Sequence, residues 1–311
     1  MTALRFGVQG SGQLVGGLPA PGLFVEVAHR AEEAGYDSLW AGDHVSFTNP
    51  ILDVTVALAA FAASTSRITI GAAIVLLPLR APALVAKAFS SLDYLSGGRV
   101  VLGVGVGGEG PKDFEAVGVP IGERGARADE AMLVLRELFA RSPARFEGRF
   151  TRFDGVSIEP RPAQPGGPPL CVGGRSEAAL LRAGQLGDGW LPIWISAERY
   201  AAGLREVRRH AKATGRDPEG IVPAAVVPAL VGDDGARARL RDHLEGRYGT
   251  GFSSGAVERY CVAGTPEECA ARVHAYAEAG VRHLVFNPAV PPDGLLEQVE
   301  RLAEIALAVA A

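Results

Sequence analysis

The chain has 311 residues, of which 48% are hydrophobic and 21% charged, with a formal net charge of −4. That balance supplies a large core and leaves no positive footprint for nucleic acid or an anionic membrane. The longest apolar run, 54–63, is interrupted by Thr55 and falls short of the roughly 20 residues that a bilayer span requires.

Met1-Thr2-Ala3-Leu4-Arg5 leads directly into a strand-like segment, without the charged lead and apolar stretch of a signal peptide, so a cytoplasmic location is expected. From there, strand-like runs at 4–10, 38–43, 68–77, 100–106, 169–173, 189–193, 221–231 and 283–287 alternate with helical patterns near 22–35, 51–65, 81–96, 123–140, 176–187, 196–214, 265–279 and 294–310. Eight strands, each followed by a helix and with no second sheet to account for, predict a closed α/β barrel of the (β/α)8 TIM type, one domain over 1–311.

Three stretches exceed the bare repeat and are the places to look for function. Residues 107–122 form a Gly- and Pro-containing insertion after strand 4. Residues 145–160, with turn signals at Gly148 and Asp154-Gly155, predict a small hairpin before strand 5. The segment 232–264 follows strand 7; its helical 235–248 and Gly/Ser-rich 249–255 predict a mobile lid. The helix over 51–65 is apolar almost all round, which is unexpected for a helix facing water. It is expected to meet a second copy of the chain in a homodimer, the alternative being burial under a neighbouring loop.

In this fold, side chains at the C-terminal ends of the strands carry the chemistry. Only His44 among the histidines is suitably placed there, so no catalytic metal is expected, and no lysine stands at a strand end for Schiff-base chemistry. Cys171, Cys261 and Cys269 are odd in number and lack C-x-x-C spacing, which argues against a disulfide framework. The remaining mouth is glycine-rich and apolar: Gln9, Asp43 and His44, Ala72 to Ile74, Gly105 to Glu109, Gly173 to Ser176, Trp190, Trp194 and Asn287. Such a mouth suits a flat organic cofactor that brings its own reactive atom.

Asp43-His44 pairs a carboxylate that can orient a group with an imidazole that can pass a proton near neutrality. The plainer reading is a loop-fixing aspartate beside a packed histidine. Gly103-Val104-Gly105-Val106-Gly107-Gly108 lacks the helix start and downstream acid of a dinucleotide fingerprint. Its glycines either let a ligand approach or serve packing. Cys171-Val172-Gly173-Gly174-Arg175-Ser176 reads as a strand ending in two glycines before a Ser-capped helix, a fitting seat for a phosphate. An ordinary strand-to-helix turn with a solvated arginine is the competing reading. Trp190, Trp194, Tyr248 and Phe252 suggest an apolar pocket under the lid, although aromatic side chains serve equally as core.

Taken together, Gly35-Tyr36-Asp37-Ser38-Leu39-Trp40-Ala41-Gly42-Asp43-His44, Ile70 to Ile74, Arg99 to Gly107, Pro169 to Gly174, Gly187-Asp188-Gly189-Trp190 and Gly264-Thr265-Pro266-Glu267-Glu268 occur in an order that resembles the bacterial luciferase-like monooxygenase superfamily across essentially the whole chain. The Asp-His after strand 2 is similar to the branch that uses the deazaflavin coenzyme F420. That resemblance implies an F420-dependent oxidoreductase exchanging hydride with a small organic substrate. It places Asp43 and His44 against the cofactor ring, Ala72, Ala73 and Ile74 behind it with a cis Ala73–Ile74 peptide, and Gly107, Gly108, Gly173, Gly174, Arg175 and Ser176 along the ribityl chain and phosphate. It also makes Glu109 a third catalytic candidate, and Arg80, Lys112 and Arg175 candidates for an oligoglutamate tail. Members using FMN share the pattern, so an FMN-dependent monooxygenase with a separate reductase is the alternative, and a non-catalytic flavin-binding protein is a further one.

Overall fold

A computed structural model describes residues 3–11, 17, 19–108, 110–248 and 255–310. In chain order the strands are β1 (Arg5–Ser11), β2 (Ser38–Ala41), β3 (Thr69–Leu76), β4 (Val100–Gly105), β5 (Ala144–Glu147), β6 (Arg152–Val156), β7 (Leu170–Val172), β8 (Gly189–Trp190), β9 (Val222–Val231), β10 (Val262–Gly264) and β11 (His283–Pro288). The helices are α1 (Leu23–Glu33), α2 (Val54–Ser64), α3 (Pro82–Ser96), α4 (Pro111–Val117), α5 (Arg124–Ala140), α6 (Glu177–Leu186), α7 (Ala197–Ala213), α8 (Ala236–Tyr248), α9 (Ala256–Tyr260), α10 (Pro266–Glu278) and α11 (Leu295–Ala310).

β1, β2, β3, β4, β7, β8, β9 and β11 pair in parallel in that order, and β9 with both β8 and β11 completes the ring. This is the expected (β/α)8 barrel. β5 and β6 form the antiparallel hairpin before the fifth barrel strand. The insertion after β4 carries α4, and the insertion after β9 carries α8 and α9. That second insertion also holds β10, a strand that the sequence reading missed; it pairs Val262 to Gly264 with Ala229 to Val231 at the end of β9. Three residues are too few to establish an alternating pattern. Within the segment 232–264, where a mobile lid was expected, residues 249–254, Phe252 among them, lie outside the described residues. Among those described, no helix is long and apolar enough to cross a membrane.

Alternation along the strands divides the apolar side chains into two layers. Trp40, Cys171, Leu191, Ala224, Val226 and Val285 form a cluster of their own, which strand alternation places inside the barrel. Leu39, Ile70 and Leu102 pack with Phe61 and Phe89 in the layer beneath the helices. Trp190 also belongs to that outer layer. It stacks on Tyr200 of α7 at 4.8 Å between ring centroids and donates from Nε1 to the Gly174 carbonyl at 2.9 Å, so it is core and not a pocket wall.

The β3–β4 pairing slips by one residue between Ala72↔Leu102 and Val75↔Val104. This bulge contains the cis Ala73–Ile74 peptide. The glycines opposite are required by packing. A Cβ on Gly103 would lie 2.0 Å from the Ala72 carbonyl oxygen, one on Gly105 1.9 Å from Ile74 Cδ1, and one on Gly173 2.7 Å from the same atom.

Candidate active site

A cleft opens at the C-terminal ends of the barrel strands, where the bulge projects Ala73 and Ile74 into its wall beside Gln9, Asp43 and His44. Gly107, Gly173, Gly174 and Ser176 contribute a small-residue part of the lining. Ala72, one residue before the bulge, is fully buried in the layer beneath the helices and is not on the wall. Gly108 and Arg175 also lie off it. Glu109 lies outside the described residues.

Asp43 is placed by β2 and buried, and both of its oxygens are engaged. Oδ2 accepts from Leu76 N and Arg80 Nε at 3.1 Å each, and Oδ1 accepts from Arg80 Nη2 at 2.6 Å. Arg80 Nη2 also donates to Asp53 Oδ2 at 2.8 Å. Burial pushes the Asp53 carboxyl up, but hydrogen bonds from Thr55 and Arg80 and the Arg80 charge outweigh it and bring the group to about 2. Arg80, one of the candidates for an oligoglutamate tail, is thus held between two carboxylates. Lys112 likewise pairs with Glu115 at 2.5 Å.

His44 stands at the rim, its Nδ1 2.8 Å from Asp113 Oδ2. Asp113 Oδ1 accepts from the backbone N–H groups of Val45 and Ser46, both at 2.7 Å. Asp113, on α4, is fully buried, and nothing in the sequence reading singled it out. The available signal was an acidic residue within an insertion that had to fold back over the catalytic face.

An aromatic wall runs from the loop after β2 to α8. Phe47 packs on His44 at 4.3 Å and meets Tyr248 edge-on at 6.4 Å, and Tyr248 meets Trp194 edge-on at 5.5 Å. Thr48 Oγ1 donates to the Arg247 carbonyl at 3.2 Å and ties α8 down over the cleft. Trp194 and Tyr248 therefore line the pocket as expected, joined by Arg247, Leu76 and Ile51.

At the anion seat, Ser176 caps α6 by accepting from Ala179 N at 3.3 Å, and the remaining first-turn N–H groups give that end a positive partial charge. Arg175 Nη1 donates to the carbonyls of Trp194 at 2.6 Å and Ile193 at 3.1 Å. Part of its guanidinium therefore secures Trp194, which has a left-handed φ of 59°. Four buried side-chain atoms have no partner among the described residues: Tyr200 Oη, Arg208 Nε, Arg241 Nε and Gln9 Oε1. Gln9 alone of these residues lines the cleft, and its Nε2 donates to the Ala73 carbonyl at 3.2 Å.

The family model for luciferase-like monooxygenases matches residues 4–253, and the chain belongs to that family. Uncharacterized proteins of Mycobacterium bovis and Mycobacterium tuberculosis are 35% identical over an alignment of 189 residues that covers 54% of this chain and 64% of theirs. The chain thus spans just under two thirds of the length of those relatives. An F420-dependent glucose-6-phosphate dehydrogenase of Kineococcus radiotolerans is 30% identical over 308 residues, covering 86% of this chain and 87% of that protein. Among solved structures, a monooxygenase of Streptomyces bottropensis is 25% identical with a TM-score of 0.86 over 99% of this chain and 100% of its own. An F420-dependent secondary alcohol dehydrogenase has the same fold, with a TM-score of 0.86 over 99% of both chains at 21% identity.

Proposed function

We propose that this protein is an oxidoreductase that binds the deazaflavin coenzyme F420 across the barrel mouth and exchanges hydride with a small organic substrate. The observation that carries this reading is the Asp43–His44 pair beside the Ala73–Ile74 bulge, in a cleft whose side chains offer little other reactive chemistry. The F420-dependent relative aligned over most of both chains supports the choice of cofactor.

The residues present fit such a group. The unpartnered Gln9 Oε1 is an acceptor suited to the ring N–H of a pyrimidinedione. Ala73 and Ile74 would back the ring, and Gly107, Gly173, Gly174, Ser176 and the first turn of α6 would hold the ribityl chain and phosphate. When bound, the deazaflavin supplies a carbon that accepts or donates hydride. Asp43 braces the wall around it through Leu76 and Arg80. His44 takes up or returns the proton that accompanies the hydride, and the Phe47–Tyr248–Trp194 wall excludes water from the reacting atoms.

FMN with molecular oxygen and a separate reductase is the second reading, supported by the monooxygenase neighbour at 25% identity. The test is anaerobic turnover of F420 over a panel of alcohols, carbonyls, imines and activated alkenes. His44→Ala is expected to slow turnover by about 10²- to 10⁴-fold and to leave cofactor affinity within a few-fold. Unchanged turnover would remove His44 from the chemistry. Cofactor binding without turnover of any substrate would favour a non-catalytic binding protein.

A further inference from the structure

Asp113 occupies a position with only one way to satisfy its neighbours. Its Oδ1 is fixed by two backbone donors, Val45 N and Ser46 N, each at 2.7 Å. Its Oδ2 is therefore the atom that faces His44 Nδ1, at 2.8 Å. The approach is crowded: a Cβ on Gly110 would come within 2.9 Å of that same oxygen. Phe47 packs on the imidazole face at 4.3 Å and restricts ring rotation.

An ionised carboxylate accepts hydrogen bonds and cannot donate them, so a neutral imidazole in this seat carries its hydrogen on Nδ1 and keeps its lone pair on Nε2. We propose that Asp113 is a positioning residue that sets the tautomer of His44, so that the neutral imidazole offers the cleft a proton acceptor at Nε2. The consequence for turnover rests on the oxidoreductase reading above. For a hydroxyl substrate the C–H hydride leaves to the deazaflavin, the O–H proton leaves to Nε2, and a carbonyl forms. In the reverse direction the same nitrogen returns the proton.

The geometry makes Asp113→Asn informative. The two backbone N–H groups need an acceptor, so the amide oxygen must take the Oδ1 position, and the NH2 group then faces Nδ1. Nδ1 must accept, the imidazole hydrogen moves to Nε2, and the cleft meets a donor where it had an acceptor. The change is isosteric, keeps both backbone contacts, and reverses a single proton position.

The experiment is long-range 1H–15N correlation NMR of the cofactor-free protein at a pH where the imidazole is neutral, with the His44 signals assigned by their loss in His44→Ala. The wild-type protein is expected to show the Nδ1–H pattern and Asp113→Asn the Nε2–H pattern. With cofactor and substrate, Asp113→Asn is expected to lose about 10²- to 10⁴-fold in turnover, with cofactor affinity unchanged and activity partly restored in Asp113→Glu. An Nε2–H pattern in the wild-type protein, or an Nδ1–H pattern retained in Asp113→Asn, overturns the proposal. Should Asp113→Asn not fold, the wild-type spectrum still decides. The spectrum requires no cofactor, so it stands or falls separately from the F420 reading, whose own failure appears as absent F420 binding.

Discussion

The bulge that presents Ala73 and Ile74 to the cleft depends on missing side chains across from it, and a paired substitution measures that dependence. In Gly105→Ala the new methyl would sit 1.9 Å from Ile74 Cδ1 and 3.1 Å from Ile74 Cγ1, so the Ile74 side chain or the bulge must move. Overpacking of this kind costs about 1–3 kcal/mol, and Ile74→Val alone costs about 0.5–1.5 kcal/mol. Valine at 74 lacks the Cδ1 atom that makes the clash and leaves only the 3.1 Å approach. The double variant is therefore expected to be less destabilised than the sum of the singles by about 1 kcal/mol or more, within the range for residues in direct contact. Urea unfolding of the four proteins gives that coupling, and F420 titration of the same set reports whether the cleft wall has shifted. Gly103→Ala serves as the contrast: its methyl would meet the Ala72 carbonyl at 2.0 Å, a backbone atom that Ile74→Val does not remove, so no comparable rescue is expected. Additive effects at 105 and 74 would refute the view that these glycines exist to seat Ile74.

Two further outcomes are expected. Burial lowers the His283 imidazole to about 3, and burial and then Arg247 lower that of His243 to about 4. The unfolded chain therefore takes up protons below about 6.5 that the folded protein refuses, and stability falls as pH drops from there toward 3. His283 Nε2 lies 2.7 Å from Ser38 Oγ and its ring meets Trp40 edge-on at 5.8 Å; His283→Asn should flatten that slope between pH 7 and 5 in urea unfolding, and an unchanged slope would mean that the imidazole is not held neutral there. We also propose that the outer face of α2 meets a second copy of the chain. Its inner face is used by Val54, Ala57, Leu58 and Phe61, whereas Val56 is 62% exposed, and the neighbouring α3 leaves Leu84 and Leu95 70% and 76% exposed. Sedimentation at micromolar concentration should show a dimer that Val56→Arg converts to monomer, and a monomeric wild-type protein would dispose of the idea.

The barrel was legible because eight apolar runs and eight helical patterns alternate along the chain, a pattern that persists through the three longer insertions. Asp43 and His44 were legible for the same reason, since the end of a barrel strand locates them. Asp113 was not: it is 69 residues from His44 in sequence and reaches it only because α4 folds back over the loop after β2. Ala72, which the resemblance groups with Ala73 and Ile74, is buried beneath the helices, and the bulge that turns only the next two residues into the cleft leaves no mark in the sequence. Trp190 was ambiguous because a two-residue strand gives no parity from which to read inward or outward. Arg80 and Arg175 looked available as charges, yet a sequence does not reveal that Asp43 and Asp53 hold the first and that two loop carbonyls engage the second.

The most direct measurement is titration of the cofactor-free protein with coenzyme F420 and, in parallel, with FMN, following cofactor fluorescence. The account predicts saturable binding of F420 at micromolar or lower concentration and at least tenfold weaker binding of FMN. Preference for FMN would contradict it and move the protein among the oxygen-using members of its family.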